Sequence, residues 1–428
     1  MIICGHGLGL AVSVGMRKKS EYNLFVGLDI GTTKVAVLVG AIGADKHIDV
    51  IGLGSYPSHG LKKGIVVNID ATVQSIKQAI AEAEMMAGCE IHSVYTGISG
   101  GHIRSLNSHG IVAIRDKEVA QTDIDRVIDA AKAVAIPADQ KVLHVLPQEF
   151  IIDHQGGIRE PIGMSGVRLE AKVHIVTGSV SSVQNIVKCI ERCGLHVSDI
   201  ILQPLASSSA VLTDDEKELG VCLVDIGGGT TDVAIFTEGA IRYSAVIPVA
   251  GDQVTNDIAV ALRTPTKYAE EIKVKYAGAM NKMADDDINI EVPSSAQQRQ
   301  PREVPRSFLI NVAGARYEEL FNLVNAELKR SRFTEIIGSG VVLTGGAARI
   351  EGISELAEQI LGLPVRVGIP DNNIGGMIEV ISNPVYSTGI GLLLAGYQRY
   401  HHGQSEPSIF SEPKSLLAKM RSWFQSNF

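Results

Sequence analysis

The chain has 428 residues, too many for one ordinary hydrophobic core, so two or more domains are expected. Hydrophobic residues make up 45% and charged residues 20%, a balance ordinary for a soluble globular protein. The formal net charge of −8 argues against a general nucleic-acid binder, and no run reaches the roughly 18 apolar residues of a transmembrane helix.

The chain opens with "IICGHGLGLAVSVGM", whose basic cluster Arg17-Lys18-Lys19 follows the apolar stretch instead of preceding it, against the order of a secretory signal. Residues 1–20 therefore read as a disordered extension. A start at Met16 is one reading, which N-terminal sequencing of the native protein decides. Strands are expected at "LFVGLDI" (24–30) and "KVAVLVGAI" (34–42) around a tight turn, a third at "IDVIGLGSYPS", and a helix over 72–88. Residues 92–177 then interrupt as a compact module, with short strands at "SVYTGISGGHIRS", "HGIVAIRD", "KVLHVLPQEFIID" and "LEAKVHIVTG". Its helix over 122–135 is expected to be capped by Thr122 or Asp123. The first domain resumes with a helix at 180–194, where Cys189 and Cys193 lie four apart on one face. Two buried small hydrophobes are preferred there to a metal or redox pair. Five cysteines with no CxxC suit a reducing cytoplasm.

The second half opens with "ELGVCLVDIGGGTTDVAIFTEG" (218–239) and "AIRYSAVIPVAG", followed by helices around "DQVTNDIAVALR" and "TKYAEEIKVKYAG". Residues 283–305 are polar and contain proline, so a loop with short strand fragments is expected. "ARYEELFNLVNAELKRSRF" reads as a long amphipathic helix, "GVVLTGGAARIEGISELAEQILG" as strand, glycine turn and helix, and "NPVYSTGIGLLLAGYQRY" as a helix rich in small residues.

The chemistry lies in a repeat. "LDIGTTKVAV" (28–37) and "VDIGGGTTDVAIF" (224–236) share apolar-Asp-Ile-Gly, Thr-Thr, one polar residue and Val-Ala. A repeat on this scale implies two similar domains. Glycine lets backbone N–H groups approach an anion with no Cβ in the way, so Gly31, Gly227, Gly228 and Gly229 suit a phosphate cradle. Thr32, Thr33, Thr230 and Thr231 offer hydroxyl donors. Asp29 and Asp225 would repel phosphate directly, and make sense with a hydrated Mg²⁺ between. Lys34 either neutralises phosphate charge or is a solvated strand lysine. No GxxxxGK[ST] occurs, and the strand alternation after Thr231 excludes a P-loop. A third glycine turn, at Gly345, Gly346 and Ala347, offers bare backbone to a nucleoside, with a helix N-terminus beyond it.

The last fifteen residues, "KSLLAKMRSWFQSNF", place Leu416, Leu417, Met420, Trp423, Phe424 and Phe428 on one helical face. Lys414, Lys419 and Arg421 lie at or beyond its edges. An apolar face with an aromatic anchor and flanking cations suits an interfacial helix on anionic lipid. A helix packed on the core or on a partner is the alternative.

Two phosphate segments and an adenosine segment in this order resemble the actin, heat-shock chaperone and sugar-kinase ATPase superfamily. Within it the chain most resembles the FtsA family of bacterial cell-division actin homologues, from about Leu24 to the C-terminus. The match includes "VLHVLPQEFIID", "SGVRLEAKVHIVTG", "ERCGL", "RYEELFNLVN" and "LTGGAARIEG". The resemblance implies an α/β, actin-like (ribonuclease H-like) two-domain ATPase fold with an inserted 1C subdomain and a C-terminal membrane-targeting helix. On that frame residues 21–91 and 178–212 form subdomain 1A and 92–177 form 1C. Residues 213–246 and 336–384 form 2A, and 247–335 form 2B. Residues 385–400 are a connecting helix returning to 1A, 401–413 a linker and 414–428 the membrane helix.

The resemblance also implies ATP and Mg²⁺ as ligands, with Glu270 and Lys273 at the adenine and ribose. Gln203 would be the water-positioning residue, or else only a polar residue of the interdomain helix. A glutamine orients water but barely deprotonates it, so at most a slow ATPase is expected. The implied partners are a second copy of the chain in a filament, the C-terminal tail of FtsZ, anionic membrane lipid and, through 1C, downstream division proteins. The implied site is the cytoplasmic face of the inner membrane, at the division plane. Arg316 is the basic residue placed against the acidic FtsZ tail, or else a surface helix arginine. A pilus-assembly relative and a sugar-kinase-like phosphotransferase are the rival readings.

Overall fold

The computed structural model describes residues 24–43, 47–280, 288–293, 302–370 and 374–401. The expected N-terminal extension, most of the 401–413 linker and the terminal helix with Leu416, Leu417, Lys419, Met420, Arg421, Trp423, Phe424 and Phe428 lie outside the described residues.

The internal repeat folds as a structural repeat. In the first lobe the strands Leu24–Ile30, Lys34–Ile42 and Ile48–Pro57 form an antiparallel meander, and Ser93–Ile98 and His196–Leu202 add in parallel on the other side of Leu24–Ile30. In the second lobe Val221–Ile226, Thr231–Thr237 and Ala240–Ile247 form the same meander, and Val341–Thr344 and Val365–Val367 take the two parallel places. A short strand, Ile374–Gly376, joins the free edge of the first sheet. The central strands read as unbroken apolar runs because both their faces are covered. Val221–Ile226 and Thr231–Thr237 are buried along their whole length.

Small residues set how closely the covering helices approach. A Cβ on Gly54 would overlap the Ala79 carbonyl of the Ile69–Ala87 helix. The helices Gln203–Val211 and Ser387–His401 cross between the lobes, and there a Cβ on Gly391 would overlap the Ala206 backbone. Cys189 is buried and Cys193 half-buried, with their sulfurs against the Ile69 and Val73 carbonyls. Burial pushes the Cys189 thiol up to about 11, which fits packing and not redox or metal chemistry.

The interruption folds as its own sheet, Arg104–Ala113, Arg168–Ser179, Gln140–Ile152 and Gln155–Ile158 in that spatial order, with the Gln121–Lys132 helix over one face. That helix starts one residue earlier than expected, after Ala120. Asp123 caps it from inside the first turn by accepting the Ala120 N–H at 3.2 Å. The module also touches the second lobe. Ser105 donates to the Ser244 carbonyl (2.8 Å), Asn107 to Arg242 (3.1 Å) and Gln148 to Ile241 (2.9 Å). These donors cover the open edge of the Ala240–Ile247 strand, which would otherwise present unpaired backbone. His174 is buried in this seam between Asn107 (2.7 Å) and Ser244 (2.9 Å), and burial holds its imidazole down at about 4.

In the 283–305 stretch the described residues form a two-stranded hairpin, Asn289–Val292 with Arg302–Pro305. The long amphipathic helix begins earlier than expected and spans Arg306–Ser331.

Replacing Gly391 by valine forces the two crossing helices apart. The variant is expected to lose about 1–3 kcal/mol, read as a lowered urea midpoint. An unchanged midpoint would show that the crossing tolerates a wider spacing.

Candidate functional site

Each repeat ends its first strand in a four-residue turn. In the first, the Gly31 N–H donates to Lys34 O at 2.9 Å; in the second, Gly227 N–H donates to Thr230 O at 3.0 Å. The two turns face each other. A Cβ on Gly228 would overlap Thr33, and one on Gly229 would overlap Thr32. The absence of side chains at 228 and 229 is thus what lets the lobes close, beyond any use as an anion cradle. The second turn is also bound to the N-terminus of the Gly251–Leu262 helix, through Gly251 N–H to Gly227 O (3.1 Å) and Asp252 N–H to Gly228 O (2.8 Å). Thr33 Oγ1 donates back to Asp252 at 3.2 Å, closing a link between the lobes.

Between the turns lies a cleft of about 460 Å³, within the usual range for a small-molecule site. Asp29, Gly31, Thr32, Thr33, Lys34, Gln203, Asp225, Gly227, Gly228, Gly229, Thr230, Glu270, Lys273, Gly345, Gly346 and Ala347 all line it. Thr231 does not. Its hydroxyl donates to the Val249 carbonyl at 2.8 Å and it is fully buried, so it fastens the strand and has no donor left for an anion.

Asp29 and Asp225 are buried at the base of the cleft. Burial raises the Asp29 carboxyl to about 6; Lys34 pulls it back and Asp225 pushes it further up. Asp225 is likewise raised by burial, although Ser207 (2.5 Å) and Thr388 (3.3 Å) donate to it. Lys34 is no solvated strand lysine. It donates to the Val385 carbonyl at 2.8 Å, lies 4.3 Å from the centre of the Tyr386 ring, and feels both aspartates. Gln203 donates its amide to Asp29 Oδ1 at 3.2 Å. Two desolvated carboxylates that destabilise each other are the setting a divalent cation relieves. Two carboxylates alone leave most of an octahedral shell to water or phosphate oxygens, so the residues present fit a hydrated Mg²⁺.

At the far end, Lys273 donates to Glu270 at 2.6 Å, to Thr255 at 2.8 Å and to Gly251 O at 3.2 Å. Opposite, Gly345 at φ +88 turns the backbone so tightly that a Cβ would overlap Asp225 and Ile226. The helix expected directly after Gly346 is not there. Residues Gly346–Arg349 make a short 3-10 turn, and the α-helix begins at Ile353 after Gly352 in the left-handed region. Tyr317 supports this turn by donating to the Ala347 carbonyl at 3.2 Å.

Other residues in or behind the cleft stand out less in the sequence. Ser207 and Thr388 look there like helix-packing residues. Arg306, tied to Glu351 at 2.7 Å, lies far from any glycine turn. Asp232 stands in the repeat as a charge in an apolar strand; the strand register matches it to Ala36 of the first lobe, while Lys34 is matched by Thr230. It is buried opposite Asp225, accepts from Ser99 at 2.5 Å, and is raised by burial to about 7. Arg316 lies outside the cleft on the Arg306–Ser331 helix. Its guanidinium grips Asp257 with two bonds (2.6 and 3.1 Å) and also pairs with Glu319.

The family model "Cell division protein FtsA" matches residues 222–391, and "SHS2 domain inserted in FTSA" matches residues 100–177. A "Cell division protein FtsA" from Pseudomonas aeruginosa is 61% identical over 411 residues, covering 95% of this chain and 98% of the relative. Among solved structures, the PilM-PilN type IV pilus biogenesis complex superposes at a TM-score of 0.65 and 16% identity, covering 87% of this chain and 98% of that one. MreB 5 of Spiroplasma citri bound to AMPPNP superposes at 0.54 and 16% identity, covering 89% and 99%. At such identities these likenesses show the fold, which is actin-like.

Because Asp232 is more basic folded than unfolded, its contribution to stability is present at low pH and is lost as pH rises from the ordinary 3.8 through about 7. Asp232→Asn removes that titration. Thermal unfolding across this range is expected to show a smaller loss with rising pH in the variant; identical profiles would contradict it.

Proposed function

The chain belongs to the FtsA family of cell-division proteins, and on that premise we propose that it binds ATP with Mg²⁺ in the cleft and works as a membrane-bound filament that holds FtsZ. The observation that carries the nucleotide reading is the pair of glycine turns converging on Asp29 and Asp225 in one cleft. The backbone and hydroxyls of Gly31 to Lys34 and of Gly227 to Thr230 would take the polyphosphate. The Gly345–Ala347 turn, backed by Tyr317, and the Glu270–Lys273 pair would hold the nucleoside. Asp29 and Asp225 would hold the cation through water, and the cation's part is to neutralise phosphate charge. Gln203, whose amide is engaged by Asp29, suits a positioning role and slow hydrolysis at most.

The filament, the FtsZ contact and the membrane contact rest on family membership together with the pattern of residues 414–428. An amphipathic helix binds lipid reversibly, so polymerisation would raise avidity. At Arg316 an acidic tail would exchange with Asp257 and Glu319, which already occupy the guanidinium. That exchange favours a tail with several carboxylates. Downstream division proteins would meet the inserted module.

Asp225→Ala is expected to weaken Mg-ATP binding by roughly tenfold or more in a titration, the loss of a charge-assisted contact. Unchanged affinity would sink the assignment. Ending the chain at Pro413 is expected to abolish co-sedimentation with anionic liposomes, and with it the recruitment of FtsZ to them. Arg316→Glu should keep liposome binding and lose FtsZ. Liposome binding that survives truncation would place the anchor elsewhere.

A further inference from the structure

From the end of the Ser93–Ile98 strand the chain runs Ser99-Gly100-Gly101-His102-Ile103 out of the first lobe and into the inserted module. This short path touches several parts of the cleft in turn. Gly97 lies against Gln203, where a Cβ would come within 2.9 Å of the side chain. Ser99, buried, crosses to the second lobe; its hydroxyl donates to Asp232 at 2.5 Å and lies 3.4 Å from that of Thr230. Gly100, at φ +133, backs onto Gly64, which also lines the cleft. The His102 ring nitrogens are buried without a hydrogen-bond partner, and the ring packs near Gly178, where the module returns to the first lobe.

Ser99 and Asp232 both line the cleft at its phosphate end. A serine has one O–H to give, and here Asp232 takes it. A phosphate oxygen entering this stretch competes for the same proton, while Asp232 and the phosphate repel each other. On the nucleotide reading above, we propose that Ser99 is the contact through which the phosphate end of the cleft controls how the inserted module sits on the second lobe. An occupied cleft draws the hydroxyl off Asp232 and shifts the Ser99–Gly101 turn at the root of the Arg104–Ala113 strand. The module can register this shift because its other hold on the second lobe is made by side chains, including Leu146 and Val246 in apolar contact, and, among the described residues, not by a shared sheet. It rests on Ala240–Ile247 through side-chain bonds from Ser105, Asn107, Gln148 and His174, plus an exposed Arg159–Glu218 pair, and the two sheets share no ladder among the described residues. Ser105 is six residues from Ser99, so the movement reaches this seam directly.

Hydrogen–deuterium exchange on the full chain, with and without Mg²⁺ and AMPPNP, tests this. In the wild type the analogue should protect the two glycine turns and speed exchange at the seam, residues 104–107 and 240–244, by about fivefold or more. Ser99→Ala should exchange fast at the seam in both conditions, and Ser99→Thr, which keeps the hydroxyl, should restore the response. Should Ser99→Ala fail to fold, Ser99→Cys, a weaker donor of similar size, should show a reduced response. Protection of the turns with no change at the seam in the wild type overturns the inference, as does a full wild-type response in Ser99→Ala or Ser99→Cys. Protection of neither region overturns the nucleotide reading itself.

Discussion

Two carboxylates, one from each lobe, are removed from water at the point where the lobes meet. Most of the cleft's local structure answers that one electrostatic difficulty. Lys34 supplies a cation, Gln203 an amide donor to Asp29, and Ser207 and Thr388 hydroxyl donors to Asp225. Those donors come from both crossing helices, so the helices have to lie close to the strand ends. Their glycine and alanine contacts, including Gly391 on Ala206, make that possible. Packing between the lobes and charge at their base are therefore one design problem.

Family membership gives this arrangement its setting. Its two halves repeat one strand order, and the second half's glycine turn, at Gly228 and Gly229, meets Thr33 and Thr32 of the first. The inserted module adds a third element, joined to the first lobe at Ser99–Gly101 and resting on the edge of the second. A body that touches both halves of a clamp is placed to report on their spacing.

Much of this was legible in the sequence, for a local reason. A glycine turn followed by two threonines states its own geometry, and repetition of the phrase states the architecture. The third turn was legible only as a turn. Nothing in "TGGAARIEG" announces that two glycines at positive φ, Gly345 and Gly352, delay the helix to Ile353. Thr231 was misjudged for the complementary reason: its hydroxyl goes to Val249, a partner eighteen residues away that no local pattern connects to it. Ser99, Ser207 and Thr388 belong to the same class. Small hydroxyl residues have many uses, and which one applies depends on a neighbour that only the fold supplies.

The repeat is faithful in backbone and unfaithful in charge. Lys34 is matched in the second lobe by Thr230, and Asp232 in the first by Ala36, yet Lys34 and Asp232 both line the same cleft. Two identical halves would make a cleft with no intrinsic direction, into which a chain of phosphates could thread from either end with equal energy. A cation brought by one lobe and an acid brought by the other, each without a charged counterpart across the repeat, lift that degeneracy, so the cleft has a polarity before any ligand arrives.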